Sequence, residues 1–149
     1  MRAVVQRVSR ATVRVAGQTV GQIGAGLLVY LGSADGDGPD DLAYIVDKIT
    51  GLRIFQDGEG KMNLAVGEVG GGVLVVPAFT TLADGRQGRR PSFSNAARPE
   101  VAEPAFQAVV AALTERGLPV QTGKFREHMD VDSVNDGPIC VLLDSRKTF

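Results

Sequence analysis

The chain has 149 residues, a formal net charge of −1, one His, one Cys and no Trp. This length fits one domain spanning residues 1–149, and the single Cys excludes an internal disulfide. The near-neutral charge does not indicate a nucleic-acid binder, and the short apolar runs exclude a membrane helix, so we expect a cytoplasmic protein with no membrane association.

Strand patterns dominate the first third of the chain and recur later. The half-exposed patterns lie at residues 3–8, 11–15 and 19–23. Residues 27–31 are apolar throughout between two glycines, which predicts a strand buried on both faces. Residues 73–76 and 139–143 have the same character.

Two helices are predicted from apolar residues that recur with helical spacing. The first carries Leu42, Ile45, Val46 and Ile49 and ends at Gly51. The second covers residues 100–116. Between them, residues 54–62 predict a strand and a turn at Asp57–Gly58. The pattern indicates a single α+β domain with a mainly antiparallel sheet.

The usual catalytic and metal-binding side chains are scarce. His128 is the only imidazole, and it has no second His or Cys at ligand spacing, so we expect no metal. No phosphate-binding glycine motif is present, so we expect no cofactor. Cys140 falls in an apolar strand pattern, where we expect it to pack as a small hydrophobe. The basic cluster at residues 86–90 is interpreted as a solvated loop.

Two segments, 75–81 and 134–140, remain as candidate sites. Thr80 and Thr81 follow a buried strand, where a hydroxyl can reach a pocket, although threonine is also an ordinary strand residue. Gly137–Pro138 interrupts a strand pattern, and it fits either a turn or a rigid wall without side chains. From the residues alone, both interpretations stay open for each segment.

Several motifs match one family in the expected order. They are the segments at residues 1–8, 52–55, 60–64, 89–93 and 134–138. On these motifs the chain resembles the D-aminoacyl-tRNA deacylases (D-tyrosyl-tRNA deacylases) over essentially its whole length. The resemblance implies a barrel-like fold, a homodimer with its active site at the subunit interface, and a tRNA acceptor end that carries an amino acid as the partner. The implied reaction is hydrolysis of the D-aminoacyl-tRNA ester, and also of mischarged glycyl-tRNA, as chiral proofreading in translation.

The resemblance also implies roles for residues of the second segment. Gly137 and Pro138 would form a cis step that enters the partner subunit's pocket and opposes an L side chain. Arg7 would hold this dipeptide in orientation.

The remaining implied roles concern the reaction and the tRNA end. Backbone N–H groups near Phe79 and Thr80 would stabilise the oxyanion, while the ribose 2′-hydroxyl of the substrate assists water. Ala78 occupies a substrate-binding position. Phe125 and Met129 would flank the terminal adenine of the tRNA.

The chain departs from the family pattern at three positions. Pro77 and Ala78 stand where the family has Ser-Gln, and Cys140 stands where it has Thr. Two alternatives therefore accompany the deacylase hypothesis. One is an editing deacylase with relaxed chirality that acts on small L-aminoacyl-tRNA. The other is a catalytically weakened dimer that binds tRNA ends.

Overall fold

The computed structural model describes residues 1–149, and a long strand, β1, organises its main sheet. The strands are β1 (Arg2–Val15), β2 (Gln18–Ile23), β3 (Gly26–Gly32), β4 (Phe55–Gln56), β5 (Met62–Leu64), β6 (Gly72–Pro77), β7 (Val120–Thr122) and β8 (Asp130–Asp144). The helices are α1 (Pro39–Gly51), α2 (Pro99–Glu115) and a short 3₁₀ helix, Phe79–Leu82.

The main sheet is mixed and nearly closes into a barrel. Its order is β2-β1-β3-β6-β7, and β8 also pairs with β1. The three pairings of β1 are antiparallel, whereas β3–β6 and β6–β7 are parallel. At Gly21 of β2 an added Cβ would lie 2.5 Å from the carbonyl oxygen of Thr122 in β7, so only glycine permits this approach.

The two faces of the sheet bury two apolar clusters. One face packs against α1 and α2, and Leu27 and Val29 of β3 and Ile45 of α1 are all fully buried there. The barrel interior holds a second cluster: Val8, Ala11, Val13, Leu28, Leu74 and Val76. Alternate residues of β3 therefore serve different clusters, which confirms the prediction of a strand buried on both faces.

Most predicted elements form close to their predicted bounds. Both helices are present, and the Asp57 carboxylate accepts hydrogen bonds from the backbone N–H groups of Glu59 and Lys61 at the turn between β4 and β5. The strand patterns at 3–8 and 11–15 join into the single strand β1. None of the helices is long and apolar enough to span a bilayer.

The prediction that residues 139–143 are buried on both faces was wrong. Cys140 is exposed and Leu142 is 58% exposed, so the cysteine does not pack in a core. The apolar run is continuous, but only the inward-facing side chains of β8 meet the core. Its outward face has no layer of this chain over it.

Strand β8 leaves its partner strand for four residues. Gln6 of β1 pairs with Cys140, but Val8 pairs with Asn135, so residues 136–139 lie opposite Arg7 alone. A strand that leaves its ladder also leaves backbone groups that need other partners.

A hydrogen-bonded carboxylate near the chain termini predicts acid sensitivity. Hydrogen bonds from the Ser145 hydroxyl and the Gly38 N–H lower the pKa of Asp41. A carboxyl group whose pKa is lower when folded stabilises the fold above its unfolded pKa of about 3.9, and this contribution is lost as pH falls further. We expect the urea midpoint to fall between about pH 5 and pH 2, and Asp41→Asn to flatten that dependence.

The matched control is Asp40→Asn, because Asp40 occupies the same first turn and makes no side-chain hydrogen bond. Equal pH dependence in the two variants would contradict the role assigned to Asp41.

Candidate functional site

A cavity of about 560 Å³ opens beyond the ends of two parallel strands. Leu31 of β3 is aligned with Pro77 of β6, so the carboxyl ends of both strands reach the same edge of the sheet. Such edges are common ligand sites in sheets with parallel strands. The cavity is lined by Leu31–Ser33, Pro77–Phe79, Phe93, Ala96–Pro99, Ala102, Phe106, Phe125 and Arg126.

The 3₁₀ helix begins at the cavity residue Phe79, and its first turn leaves two backbone donors unpaired. The Ala78 N–H donates to the Leu31 carbonyl at 2.8 Å, and the Thr81 N–H donates to the Ala78 carbonyl at 3.2 Å. The N–H groups of Phe79 and Thr80, between them, donate to no acceptor in the chain. The first N–H groups of a helix lack intrahelical partners, so they can bind an anionic oxygen.

Aromatic rings make up much of the cavity wall. Phe79 is 57% exposed and meets Phe93 edge-on, with ring centroids 5.1 Å apart. Phe125 lies against Phe106 at 6.3 Å. The interpretation of the sequence did not assign Phe93 to the site. The available signal was its position at the end of the 89–93 motif.

The two predicted adenine-flanking residues lie in different places. Phe125 lines the cavity, but Met129 does not. The Met129 sulfur accepts a hydrogen bond from the Lys124 N–H at 3.3 Å and packs with the barrel cluster. Met129 therefore lies behind the segment that carries Phe125.

Arg7 holds the loop of β8 that contains the Gly-Pro step. Its guanidinium is 8% exposed and donates from Nε to the Asp136 carbonyl at 3.1 Å and from Nη1 to the Ile54 carbonyl at 2.6 Å. The Asp136 carboxylate also lies 3.1 Å from Nε. These contacts join the sheet to the segment before β4.

The Gly137–Pro138 bond is cis, the isomer that the family resemblance implies. Both residues are exposed, and Gly137 has φ 130°, a conformation that L side chains rarely adopt. Asn135 donates from Nδ2 to the Ile139 carbonyl at 3.0 Å and so spans the dipeptide. Asn135 belongs to the 134–138 motif, but the sequence alone did not assign it this bridging role.

The Gly-Pro loop and the cavity are separate in one chain. Neither Arg7, Gly137 nor Pro138 lines the cavity, whereas Phe79 and Ala78 do. Thr80 is not among the residues that line the cavity, and it follows Phe79, which is. Cys140 and His128 are exposed, and His128 lies 3.7 Å from Asp130 rather than near a nucleophile. No group of three or more His, Cys, Asp and Glu side chains is placed to hold a metal ion.

Comparison with known proteins identifies the family. The sequence profile described as D-Tyr-tRNA(Tyr) deacylase matches residues 4–144. The chain belongs to this deacylase family. A D-aminoacyl-tRNA deacylase of Anaeromyxobacter dehalogenans is 59% identical over 149 residues, which is 100% of both chains. One from Natranaerobius thermophilus is 55% identical over 150 residues, again 100% of both.

Solved structures resemble this member of the deacylase family throughout. A structure titled c-Myc DNA Unwinding Element Binding Protein has a TM-score of 0.91 and 36% identity, covering 97% of this chain and 98% of the other. A structure described as a probable eukaryotic D-amino acid tRNA deacylase has a TM-score of 0.80 and 17% identity, covering 95% and 97%. The second similarity shows a shared fold alone.

The contacts of Arg7 predict that lysine at position 7 would destabilise the fold of this family member. One ammonium cannot reach the carbonyls of Asp136 and Ile54 in the geometry of a guanidinium fork. At least one buried hydrogen bond to a charged group is lost, so we expect Arg7→Lys to lower the free energy of unfolding by about 1.5–3 kcal/mol.

Urea denaturation measures this change, and Arg10→Lys is the control, because Arg10 is 59% exposed on the same strand. A cost for Arg7→Lys no larger than that for Arg10→Lys would refute the holding role.

Proposed function

We propose that this protein hydrolyses the ester bond between a D-amino acid and the 3′ end of tRNA, releasing the free amino acid and tRNA. The observation that carries the proposal is the 59% identity, over the full length of both chains, to a D-aminoacyl-tRNA deacylase. Removal of D-amino acids, and of glycine from mischarged tRNA, would proofread translation, so we place the protein in the cytoplasm.

The proposed chemistry uses backbone donors. Water attacks the ester carbonyl, and the oxyanion of the tetrahedral intermediate accepts hydrogen bonds from the N–H groups of Phe79 and Thr80. The 2′-hydroxyl of the terminal ribose assists the water. Collapse of the intermediate breaks the bond to the ribose 3′-oxygen, which leaves with a proton. The unpaired N–H groups of Phe79, which lines the cavity, and of the adjacent Thr80 support this assignment.

The changed side chains at positions 77 and 78 leave these donors in place. The N–H of Ala78 is already engaged by Leu31, and proline at 77 removes an N–H that precedes the donor pair. Pro77 and Ala78 still favour testing L-Ala-tRNA beside the D substrate, because the family's polar pair is absent. Binding of tRNA without turnover of either substrate would instead support a tRNA-end-binding dimer.

We assign discrimination between D and L substrates to the Gly137–Pro138 step. A wall made of backbone has a fixed shape and no side chain that can rotate away. An L side chain would meet it, whereas a D side chain or the hydrogen of glycine points elsewhere. Arg7 and Asn135 hold both sides of this loop, which supports a rigid selector.

We further propose that a homodimer completes the site, with the Gly-Pro step supplied in trans. The step is exposed, and it does not line the cavity of its own chain. The outward face of β8 also exposes Val134 and Leu142, at 41% and 58%. Apolar exposure next to the selector favours a subunit interface on this face.

Alanine at position 137 is expected to slow deacylation of the D substrate. An added Cβ would lie 2.7 Å from Ile139 Cγ1 and 3.0 Å from Arg7 Nη2, at φ 130°. The loop must therefore move. We expect kcat/KM for D-Tyr-tRNA to fall at least about tenfold, since small misplacements at a catalytic site have costs of this order.

Gly24→Ala is the matched control, because an added Cβ there meets nothing within 4 Å. Release of radiolabelled D-tyrosine measures the rate. Wild-type kcat/KM for D-Tyr-tRNA in Gly137→Ala would refute a part for this loop in the active site, and an inactive wild type would refute the deacylase itself.

Mixed dimers test whether the selector acts in trans. One variant chain, Gly137→Ala, has a defective selector. The other, Ala102→Trp, has a cavity filled by the new side chain, because Ala102 lines it. If each site takes its cavity from one chain and its selector from the other, a refolded equimolar mixture regains about a quarter of wild-type sites. Sites built within one chain would give no recovery.

A further inference from the structure

The cavity contains two cationic side chains and no acidic one. Arg98 and Arg126 both line it, together with aromatic and apolar residues. Neither guanidinium forms a salt bridge or a side-chain hydrogen bond within the chain. By contrast, Arg2 and Arg146 are paired with Asp144 and Asp37.

The two arginines come from separate elements. Arg98 is the residue before α2, and its carbonyl accepts hydrogen bonds from the N–H groups of Val101 and Ala102. Arg126 follows Phe125 in the turn before β8. The positive end of the α2 dipole adds to the field of Arg98 at the same wall. An anion at this wall would meet positive charge from both elements.

The backbone at Arg126 is in the left-handed region, with φ 63°. This conformation is unfavourable for an L residue other than Asn or Asp, and glycine adopts it freely. The Arg126 side chain is exposed. Backbone outliers of this kind cluster at functional sites, and Arg126 lies at the cavity wall.

We propose that Arg98 and Arg126 clamp the phosphate next to the terminal nucleoside of the bound tRNA. The inference rests on the proposed function, and it extends the site from the amino acid and base to the nucleic-acid backbone. Aromatic rings suit the flat face of a base, while guanidinium groups bind phosphate oxygens in a bidentate manner. The cavity presents both chemistries side by side, with no carboxylate to repel a phosphate.

Nucleotide binding tests the clamp without turnover. Isothermal titration with adenosine 5′-monophosphate and with adenosine isolates the phosphate. We expect the monophosphate to bind wild type about fivefold more tightly at low salt, the order of magnitude for exposed ion pairs. This preference should disappear in Arg98→Gln/Arg126→Gln. Equal affinities of the two ligands for wild type would overturn the proposal.

The control is Arg116→Gln, because Arg116 ends α2 at the opposite end from Arg98 and does not line the cavity. It should retain the preference for the monophosphate. Loss of that preference in Arg116→Gln would show a diffuse charge effect and would also overturn the clamp.

Steady-state kinetics then tests whether the two arginines contact a phosphate of the tRNA substrate. We expect the double variant to raise KM for D-Tyr-tRNA about tenfold and to reduce the slope of log KM against log salt by about 0.7, the contribution of one single-stranded phosphate. KM for D-tyrosyl-adenosine, which has no phosphate, should not change. An equal rise for both substrates would contradict phosphate binding.

If wild type cleaves neither substrate, the proposed function fails, while the nucleotide titration still decides the clamp.

Arg126→Gly separates binding from folding. Glycine relieves the backbone at φ 63°, so we expect the thermal midpoint to stay the same or rise. KM for D-Tyr-tRNA should nevertheless rise about three- to fivefold, as expected for one exposed ion pair. A lower midpoint with unchanged KM would show that Arg126 serves the fold, and would overturn its part in the clamp.

Discussion

The pairing of β1 on both edges is the constraint on which the rest of the structure depends. β8 follows β1 from Asp130 to Asp144 except at residues 136–139, which have only Arg7 opposite them. Backbone groups released from a ladder need other partners, and the Arg7 guanidinium takes the Asp136 carbonyl. The same interruption projects Gly137–Pro138 out of the sheet. The sheet itself therefore builds the exposed loop to which we assign selection.

The parallel part of the sheet builds the other half of the proposed site. β3 and β6 end together, and the chain turns at Ala78 into a 3₁₀ helix whose first N–H groups are unpaired. Both halves thus depend on backbone geometry more than on reactive side chains. This accounts for a chain with one His and one Cys, both exposed and outside the cavity. It also explains how Pro77 and Ala78 can replace polar residues without disturbing the donors at 79 and 80.

Elements set by local periodicity could be predicted from the sequence, and tertiary placement could not. The helices, the buried β3 and the turn at Asp57 follow from spacing and turn chemistry within a few residues. The exposure of Cys140 and Leu142 depends on which face of β8 meets the core, which a continuous apolar run does not specify. The family motifs indicated Arg7 and Gly137–Pro138. Phe93 lies at the cavity because Asp84 and Ser92 pair across a long loop, a contact without a local signal.

The net charge of the chain does not indicate the electrostatic field at the cavity, because several carboxylates form ion pairs with arginines elsewhere in the fold. Asp37, Asp84 and Asp144 each bind an arginine within the chain. Their negative charge is neutralised locally, away from the cavity. Arg98 and Arg126 have no such partners, and they stand in a concave wall whose apolar surface weakens solvent screening. A chain with a net charge of −1 can therefore present a positive field at the cavity to which we assign the RNA end.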